Sequence, residues 1–302
     1  MQVSAPAVAF QPTGGENGLY SKLESETGVP IETLLSPQTL ADDPKRVWEH
    51  WRDLSVRIHT SAPTPTHVAM TMLSNHHRKG KSDDFSPSVE KLEHFDAPGL
   101  LGVADRYNPN SFLELTQNVD GLSRMAGLHR KDIIEIHGNY RRHVCTKCKV
   151  ESGLEIHPGM TIPPKCMACA SPVAFLRPRM VMFGERINPY AITFAEEYAR
   201  SANLIVVAGT SLQFQYLANV IMAAIDGERT PLIVYVDPHA SPYKSTLLAL
   251  DSELEIDQKI ICIRKASDEV VPALCDLLVS GSPTREEVEQ WCLAQREIAT
   301  FA

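Results

Sequence analysis

Four cysteines in the middle of the chain form two pairs, Cys145 with Cys148 and Cys166 with Cys169. Two residues separate the members of each pair, and seventeen residues separate the two pairs. Each C-x2-C turn delivers two thiolates to one metal, and two such turns complete the tetrahedral sulfur site typical of structural Zn²⁺. The alternative is four ordinary reduced cysteines, but the chain has only seven cysteines in 302 residues. The spacing therefore predicts a small module closed by zinc within a larger fold.

Composition and charge exclude several other classes of protein. The formal net charge is −8, and nucleic-acid binding needs a basic surface, so we expect no direct contact with nucleic acid. No apolar run is long enough to cross a membrane, and the sequence begins without the pattern of a secretory signal. The other three cysteines are scattered, which favours a reducing, intracellular location. The cytoplasm and the nucleus fit that expectation, and the mitochondrion stays open.

The order of apolar segments predicts an α/β fold. Apolar runs predict strands at 112–116, 179–183, 203–208, 232–236 and 259–263. Amphipathic stretches predict helices at 44–59, 190–200, 215–226 and from Ser267 onward. The run at 203–208 is apolar after Asn203, which is typical of a strand covered on both faces. The alternation indicates a doubly wound, parallel, Rossmann-like sheet with the small zinc-binding module inserted.

We expect a single domain over residues 1–302. Its segments are a helical segment with a long polar insertion at 44–110, an α/β core at 111–138 and 178–280, a zinc module at 139–177 and a helical tail at 281–302. Long insertions of this kind are usually functional or disordered.

Ligands of open parallel sheets bind beyond the carboxyl ends of the strands, so residues just after each strand are candidates for binding. Gly209, Thr210 and Ser211 follow one predicted strand, where backbone amides and hydroxyls can hold phosphate or ribose. Asp237 follows another strand and can accept hydrogen bonds from ribose hydroxyls. The simpler alternative for both positions is a helix cap or a turn.

A second polar group follows the strand at 112–116. Gln117, Asn118 and Asp120 are three polar side chains at a buried strand end, which is costly unless they bind a ligand or one another. His137 precedes Gly138 just before the first cysteine pair. Its pKa near neutrality suits a general base, although a lone histidine is more often structural.

Several ordered motifs together resemble the sirtuins, the NAD-dependent protein lysine deacylases. The motifs are 116–122 (TQNVDGL), 136–138 (IHG), the two cysteine pairs, 177–178 (RP), 181–185 (VMFGE) and 209–212 (GTSL). The resemblance covers residues 10–274, nearly the whole chain.

The resemblance implies a Rossmann domain and a zinc module with NAD between them. The acyl oxygen of a modified lysine attacks the nicotinamide ribose, nicotinamide leaves, and His137 acts as general base. The products are the free lysine and an O-acyl-ADP-ribose. Residues implied to bind the cofactor are Gln117, Asn118, Asp120, Gly209, Thr210, Ser211, Asp237 and Ala266. The residues implied to pair with the backbone of the acylated protein are Val181, Met182, Phe183, Gly184 and Glu185. Zinc is implied to be structural, with all four thiolates as ligands.

The sequence also departs from the family pattern. No glycine precedes Gly14, so the Gly-Ala-Gly-x-Ser loop and the first strand have no counterpart in the printed sequence. That loop supplies backbone amides for the diphosphate, and we therefore expect weak NAD binding. Trp51 and Leu54 lie near the positions where some sirtuins carry a Tyr-x-x-Arg pair for acidic acyl groups, so we expect no desuccinylase.

Two functions stay open on this sequence. One is an NAD-dependent protein deacetylase of sirtuin type. The other is a catalytically impaired, sirtuin-like module that binds zinc and peptide but no longer turns over NAD. A zinc-ribbon nucleic-acid binder is disfavoured, because basic residues near the cysteines are few and the net charge is acidic.

Overall fold

The computed structural model describes residues 25, 28–79, 112–154, 156–169, 171–210, 212, 214–227, 231–238 and 260–296. The chain divides into two compact units. The first unit comprises Met1–Ala62, Leu115–Met125 and Glu135–Ile187. The second unit comprises Pro63–Glu114, Ala126–Ile134 and Asn188–Ala302.

The described residues form eight strands and nine helices. The strands are β1 (Glu114–Thr116), β2 (Ile133–Glu135), β3 (Gly138–Cys145), β4 (Glu151–Ser152), β5 (Leu176–Met180), β6 (Leu204–Ala208), β7 (Leu232–Val236) and β8 (Ile260–Ile263). The helices are α1 (Ile31–Leu34), α2 (Pro37–Asp42), α3 (Pro44–Thr60), α4 (Pro65–Arg78), α5 (Leu122–Met125), α6 (Pro189–Arg200), α7 (Gln215–Ile225), α8 (Ser267–Gly281) and α9 (Arg285–Ala294). β1 pairs with β2 in a two-stranded sheet.

An antiparallel sheet of order β4-β3-β5 forms the frame of the first unit. β3 pairs with β5 from Gly138 opposite Met180 to Cys145 opposite Leu176. The register shifts between Asn139 and His143, so that β3 is irregular in its middle. Such irregularities bend a strand and redirect its side chains.

Helix α3 supplies much of the apolar core of the first unit. It begins where Asp43 accepts a hydrogen bond from the backbone N–H of Arg46 at 3.0 Å, with Pro44 at the first helical position. Its apolar positions follow helical spacing, and Trp48 and Trp51 are fully buried. Trp48 Nε1 donates to the carbonyl of Leu176 at 2.8 Å, which ties α3 to β5.

A parallel sheet of order β6-β7-β8 forms the frame of the second unit. Every residue of β7 is buried, and Val234 and Val236 have no exposed surface. Apolar side chains of α8 and α9 join the same core, which includes Leu274 and Val288. Because parallel strands need crossover connections and covered faces, this arrangement confirms the predicted α/β class with an inserted antiparallel module.

The structure also confirms several predicted elements within one or two residues. The helices predicted at 190–200 and 215–226 correspond to α6 and α7, and the strand predicted at 232–236 corresponds to β7. The helix predicted at 44–59 corresponds to α3. Residues 80–111, which hold most of the polar insertion, lie outside the described residues.

Two expectations about strands are wrong. β5 ends at Met180, so the strand predicted at 179–183 does not form as a unit. The N–H of Met182 bonds instead to the carboxylate of Glu185 at 2.8 Å, which turns the chain. β6 is not covered on both faces, since Val206 is 37% exposed. Among the described residues β6 is an edge strand, and it therefore has a neighbouring strand on one side only.

None of the helices in the described part of the chain combines the length and the apolar character that crossing a bilayer requires.

Candidate active site

His137 lies in a tight turn between β2 and β3. Gly138 makes the turn possible, because its φ of +84° is unfavourable for other residues and a Cβ there would collide with the carbonyl oxygen of Arg179. The carbonyl of His137 accepts a hydrogen bond from the N–H of Val181 at 2.8 Å. The backbone on both sides of the histidine is therefore fixed by β5 and the residue that follows it.

The imidazole of His137 contacts the loop that follows β1. Its Nδ1 lies 3.2 Å from the carbonyl oxygen of Gln117. A carbonyl can only accept, so in the neutral ring Nδ1 carries the proton and Nε2 the lone pair. Burial lowers the pKa of His137, and the hydrogen bond to Gln117 opposes that effect in part. The ring is therefore neutral at pH 7 and can accept a proton at Nε2.

The loop from Gln117 to Asp120 is held by hydrogen bonds of its own. Thr116 Oγ1 accepts the N–H of Asn118 at 3.1 Å, and Asp120 Oδ1 accepts the N–H of Leu122 at 2.9 Å. Asp120 is buried, with only 6% of its surface exposed. The first unit thus brings together four of the predicted site residues: Gln117, Asn118, Asp120 and His137.

The segment 181–185 also belongs to the first unit, where an ion pair shapes it. Arg177 donates from Nη1 and Nη2 to the two carboxylate oxygens of Glu185 at 2.7 and 2.8 Å. Burial acts to raise the pKa of Glu185, but the hydrogen bonds from Arg177 and from the Met182 N–H outweigh it, and the pKa lies below its ordinary value. The carboxylate is therefore charged at neutral pH and holds the segment in one conformation.

Most of the N–H groups of this segment donate within the protein. Val181 donates to the carbonyl of His137, and Phe183 donates to the carbonyl of Leu35 at 3.1 Å. The N–H of Glu185 donates to the carbonyl of Met182 at 2.9 Å. Hence a strand added to this segment would depend chiefly on its carbonyl oxygens as acceptors.

Three of the four predicted zinc ligands come together at the end of β3. The Sγ atoms of Cys145, Cys148 and Cys166 all lie within 4.8 Å of one another, and those of Cys148 and Cys166 are 3.8 Å apart. Zn–S bonds of about 2.3 Å in a tetrahedron place sulfur atoms about 3.8 Å apart. Cys169 packs against this cluster, although its sulfur is not within 4.8 Å of all three. The cysteine cluster therefore fits a zinc ion.

Backbone amides favour the thiolate form of Cys145. The N–H groups of Lys147 and Cys148 donate to its sulfur at 3.3 and 3.4 Å. Burial acts to raise the pKa of Cys145, but these hydrogen bonds, together with those from the thiols of Cys148 and Cys166, outweigh it and lower the pKa to about 7. Thiolates are the form that binds metal, so the turn is prepared for a cation.

The remaining candidates lie in the second unit, at the carboxyl ends of its parallel strands. Gly209 follows β6 with φ +64°, and its N–H donates to the carbonyl of Val236 at 3.2 Å. The carbonyl of Thr210 accepts from the Tyr235 hydroxyl at 2.7 Å. Asp237 follows β7 and is 9% exposed, and Ala266 is the N-cap of α8. Ser211 lies outside the described residues.

Several polar residues around His137 were not assigned to a site on the sequence. They are Arg124, Glu135, Asn139 and Arg141, which bond to one another or to the loop after β1. The sequence offers one signal for them, since Glu135 and Asn139 flank His137 at a spacing of two residues on either side.

A model of the Sir2 family matches residues 105–215 of this chain. An NAD-dependent protein deacylase of Leptospira interrogans is 30% identical over 234 residues, which cover 77% of this chain and 77% of that protein. A point mutant of a Sir2 homologue bound to ADP-ribose has 25% identity and a TM-score of 0.59, and the match covers 92% of this chain and 85% of the other.

A second structure, the complex of a Sir2 homologue with NAD, shares the fold. It has a TM-score of 0.56 and 24% identity, with 90% of this chain and 88% of the other covered. Fold, site and sequence therefore agree, and the chain belongs to the Sir2 family, the sirtuins. The resemblance that the motifs indicated is confirmed.

Proposed function

We propose that this chain is an NAD-dependent protein lysine deacylase of the sirtuin type. The observation that carries the proposal is the contact between His137 and Gln117, because it joins a neutral, buried imidazole to the loop that ends in Asp120. The curated relative from Leptospira interrogans is an NAD-dependent protein deacylase, which supports the same activity here.

NAD is the cofactor that this site would hold. Gln117, Asn118 and Asp120 suit its nicotinamide and ribose, because they lie in one short loop whose Gln117 carbonyl contacts the imidazole of His137. Gly209, Thr210, Ser211, Asp237 and Ala266 suit the adenosine side, because they follow parallel strands. When bound, NAD supplies the ribose carbon that accepts the acyl oxygen as nicotinamide leaves. In this arrangement 111–138 and 178–280 act as the cofactor-binding core and 139–177 as the zinc module.

His137 acts as the general base. Its Nε2 would accept a proton from a ribose hydroxyl of the bound cofactor, and the resulting positive charge would be stabilised by the hydrogen bond from Nδ1–H to the carbonyl of Gln117. A histidine whose pKa lies below its ordinary value is mostly unprotonated at pH 7 and still able to accept a proton. General-base catalysis of this kind contributes roughly 10²- to 10⁴-fold to a rate.

The substrate is a protein with an acylated lysine, held along Val181, Met182, Phe183, Gly184 and Glu185. The ion pair between Arg177 and Glu185 keeps this segment in place for the substrate backbone. The acyl group we propose is a short, uncharged one such as acetyl. Trp51 and Leu54 lie near the positions where some sirtuins carry a Tyr-x-x-Arg pair for acidic acyl groups, and both are buried apolar residues.

Zinc has a structural role in this proposal. Cys145, Cys148, Cys166 and Cys169 would fill all four positions of a tetrahedral ion, so no position stays open for a substrate or for water. No disulfide joins any of the seven cysteines, all of which lie among the described residues, and this suits a reducing, intracellular compartment.

The test is a deacetylation assay with an acetyl-lysine peptide, followed by mass spectrometry of the peptide and by nicotinamide release. We expect free lysine only when NAD is present, with one nicotinamide released per lysine. His137→Ala should lower the rate roughly 10²- to 10⁴-fold without moving the melting temperature. His157→Ala, which changes an exposed histidine in the same unit, should be fully active.

Deacetylation without NAD, or a His137→Ala variant as fast as the parent, would overturn the proposal. Peptide binding without turnover in the parent chain would favour the impaired binding module instead.

A further inference from the structure

A buried carboxylate lies two residues before His137 in the first unit. The side chain of Glu135 is 2% exposed, and both of its oxygens accept hydrogen bonds. Oε2 accepts from Arg124 Nε at 2.7 Å, and Oε1 accepts from Asn139 Nδ2 at 2.6 Å. A charge this deeply buried persists only where its partners satisfy it, so Glu135 is fixed in place by α5 and β3.

The hydrogen bonds continue from Asn139 to the loop after β1. Asn139 Oδ1 accepts the backbone N–H of Arg141 at 2.8 Å. Arg141 then donates from Nε to the carbonyl of Asp120 at 2.8 Å and from Nη2 to the carbonyl of Ile58 at 2.9 Å. We call this chain of contacts from Arg124 through Glu135, Asn139 and Arg141 to Asp120 the buried relay.

The irregular middle of β3 makes the buried relay possible. The register of β3 against β5 shifts between Asn139 and His143, so the residues between them leave the ladder. The N–H of Tyr140 bonds instead to the carbonyl of Val119 at 2.7 Å, and Arg141 reaches Asp120. Gly121 lets the loop come this close, because a Cβ there would lie 2.8 Å from Asn139 Nδ2.

The buried relay includes residues next to both partners of the hydrogen bond between His137 and Gln117. Glu135 and Asn139 bracket His137 along the chain, while Asp120 closes the loop that begins at Gln117. Any shift of this loop relative to the His137 turn would therefore stretch a charged or amide hydrogen bond in the buried relay.

Stability alone is a poor explanation for such a group. Apolar side chains of similar volume often replace a buried ion pair with no loss of stability, whereas buried polar groups can specify one geometry among several. A general base loses much of its effect on the rate when it is displaced by about 1 Å. The position of the His137 imidazole therefore matters more for catalysis than for stability.

We propose that Glu135, together with Arg124 and Asn139, is a positioning residue that holds the Gln117–Asp120 loop against the imidazole of His137. This inference rests on the proposed role of His137 as the base. Glu135 itself contacts neither substrate nor cofactor in this account.

The test compares Glu135→Gln and Asn139→Ala with the parent chain. Glu135→Gln places a neutral amide opposite the N–H of Arg124, so the charged hydrogen bond at 2.7 Å is lost with little change of volume. We expect kcat for deacetylation to fall about 10- to 100-fold, with the KM for the peptide within about twofold of the parent. Amide exchange at Gln117–Asp120 should become faster at a temperature where both proteins are folded.

Glu151→Gln is the matched control. Glu151 forms ion pairs with Arg142 and Arg179, but its side chain is 30% exposed and its two partners lie on β3 and β5 rather than on the loop after β1 or on α5. It should leave kcat and the exchange of the loop unchanged. Asn139→Ala, which cuts the buried relay without leaving Arg124 beside a neutral amide, serves where Glu135→Gln does not fold.

The two proposals fail in different ways. A parent chain without deacetylation refutes the proposed function, and amide exchange of the loop still decides whether the buried relay holds it. Active Glu135→Gln and Asn139→Ala variants with the kcat of the parent, or an equal loss in Glu151→Gln, would overturn the positioning role. Amide exchange of the Gln117–Asp120 loop at the rate of the parent in these two variants would overturn the positioning role as well.

Discussion

The two groups of candidate residues are held in different ways. In the first unit, side chains fix the His137 turn and the loop after β1 through the buried relay and through the pair of Arg177 with Glu185. In the second unit, the turn at Gly209 and Thr210 is held by the N–H of Gly209 and by two hydroxyls, that of Tyr235 and that of Thr210, which accepts the N–H of Leu212. The buried, apolar strand β7 ends next to that turn.

This difference matches the chemistry proposed for each group. Proton transfer requires the accepting nitrogen to lie at a fixed distance from the group that donates the proton. Charged hydrogen bonds can hold the surrounding residues with that precision. Phosphate and ribose are commonly bound by backbone amides at strand ends, which require a backbone conformation more than particular side chains. Substitutions should therefore act on geometry in the first unit and on core stability in the second.

Loss of the cysteine cluster is expected to cause the largest loss of stability, and this loss should be confined to the first unit. Cys145→Ser removes a ligand that lies within 4.8 Å of two others, and structural zinc contributes about 10 kcal/mol or more to the folding of small modules. We expect the variant to lose zinc, measured by elemental analysis, and to lose protection of β3 and β5 from amide exchange. Cys262→Ser, outside the cluster, should keep its zinc. Full zinc content in Cys145→Ser would contradict the assignment.

Truncation of the core of the parallel sheet should have the next largest effect. Ile263 in β8 is 1% exposed, so Ile263→Ala should lower the free energy of unfolding by about 2–5 kcal/mol in denaturant titrations. Val206→Ala in β6 is the matched control, because Val206 is 37% exposed and surface changes usually stay within about 0.5 kcal/mol. Equal losses in the two variants would mean that β6 is covered as fully as the sequence suggested.

A smaller and local effect is expected for the segment 181–185. Glu185→Gln removes the charge that Arg177 binds at two oxygens, and we expect a loss of about 1–3 kcal/mol with faster amide exchange at Met182. The lowered pKa of Glu185 fixes the sign of the pH dependence. Its stabilising effect is present above the ordinary carboxyl pKa and is lost as the pH falls through the lower, folded value. A Glu185→Gln variant with the acid sensitivity of the parent would show that the pair contributes nothing.

The sequence correctly predicted helices and strands that depend on a local pattern of residues. The predictions were wrong where a contact with a residue outside that pattern determines the structure. The unbroken apolar run 232–236 and the amphipathic stretch 190–200 sufficed for β7 and α6. The strand predicted at 179–183 failed because the carboxylate of Glu185 captures the N–H of Met182, which no periodicity reveals. β6 resembled a fully covered strand because apolar composition does not show whether a strand lies at the edge of its sheet.

The candidate site shows the same limit. Motif spacing predicted His137, Gln117 and Asp120 as site residues, and all three lie in the first unit. The buried relay could not be predicted, since Arg141 reaches Asp120 only through the irregular register of β3. The spacing of the cysteines indicated four equal ligands, whereas three sulfur atoms cluster and Cys169 packs beside them.

The most direct test of the account is an NMR titration of the imidazole of His137 in ¹⁵N-labelled protein. The account predicts a neutral ring with its proton on Nδ1 at pH 7 and a pKa below the ordinary value of 6.5. A proton on Nε2, or a pKa at or above 6.5, would contradict the claim that a buried, neutral His137 is oriented by Gln117 to accept a proton.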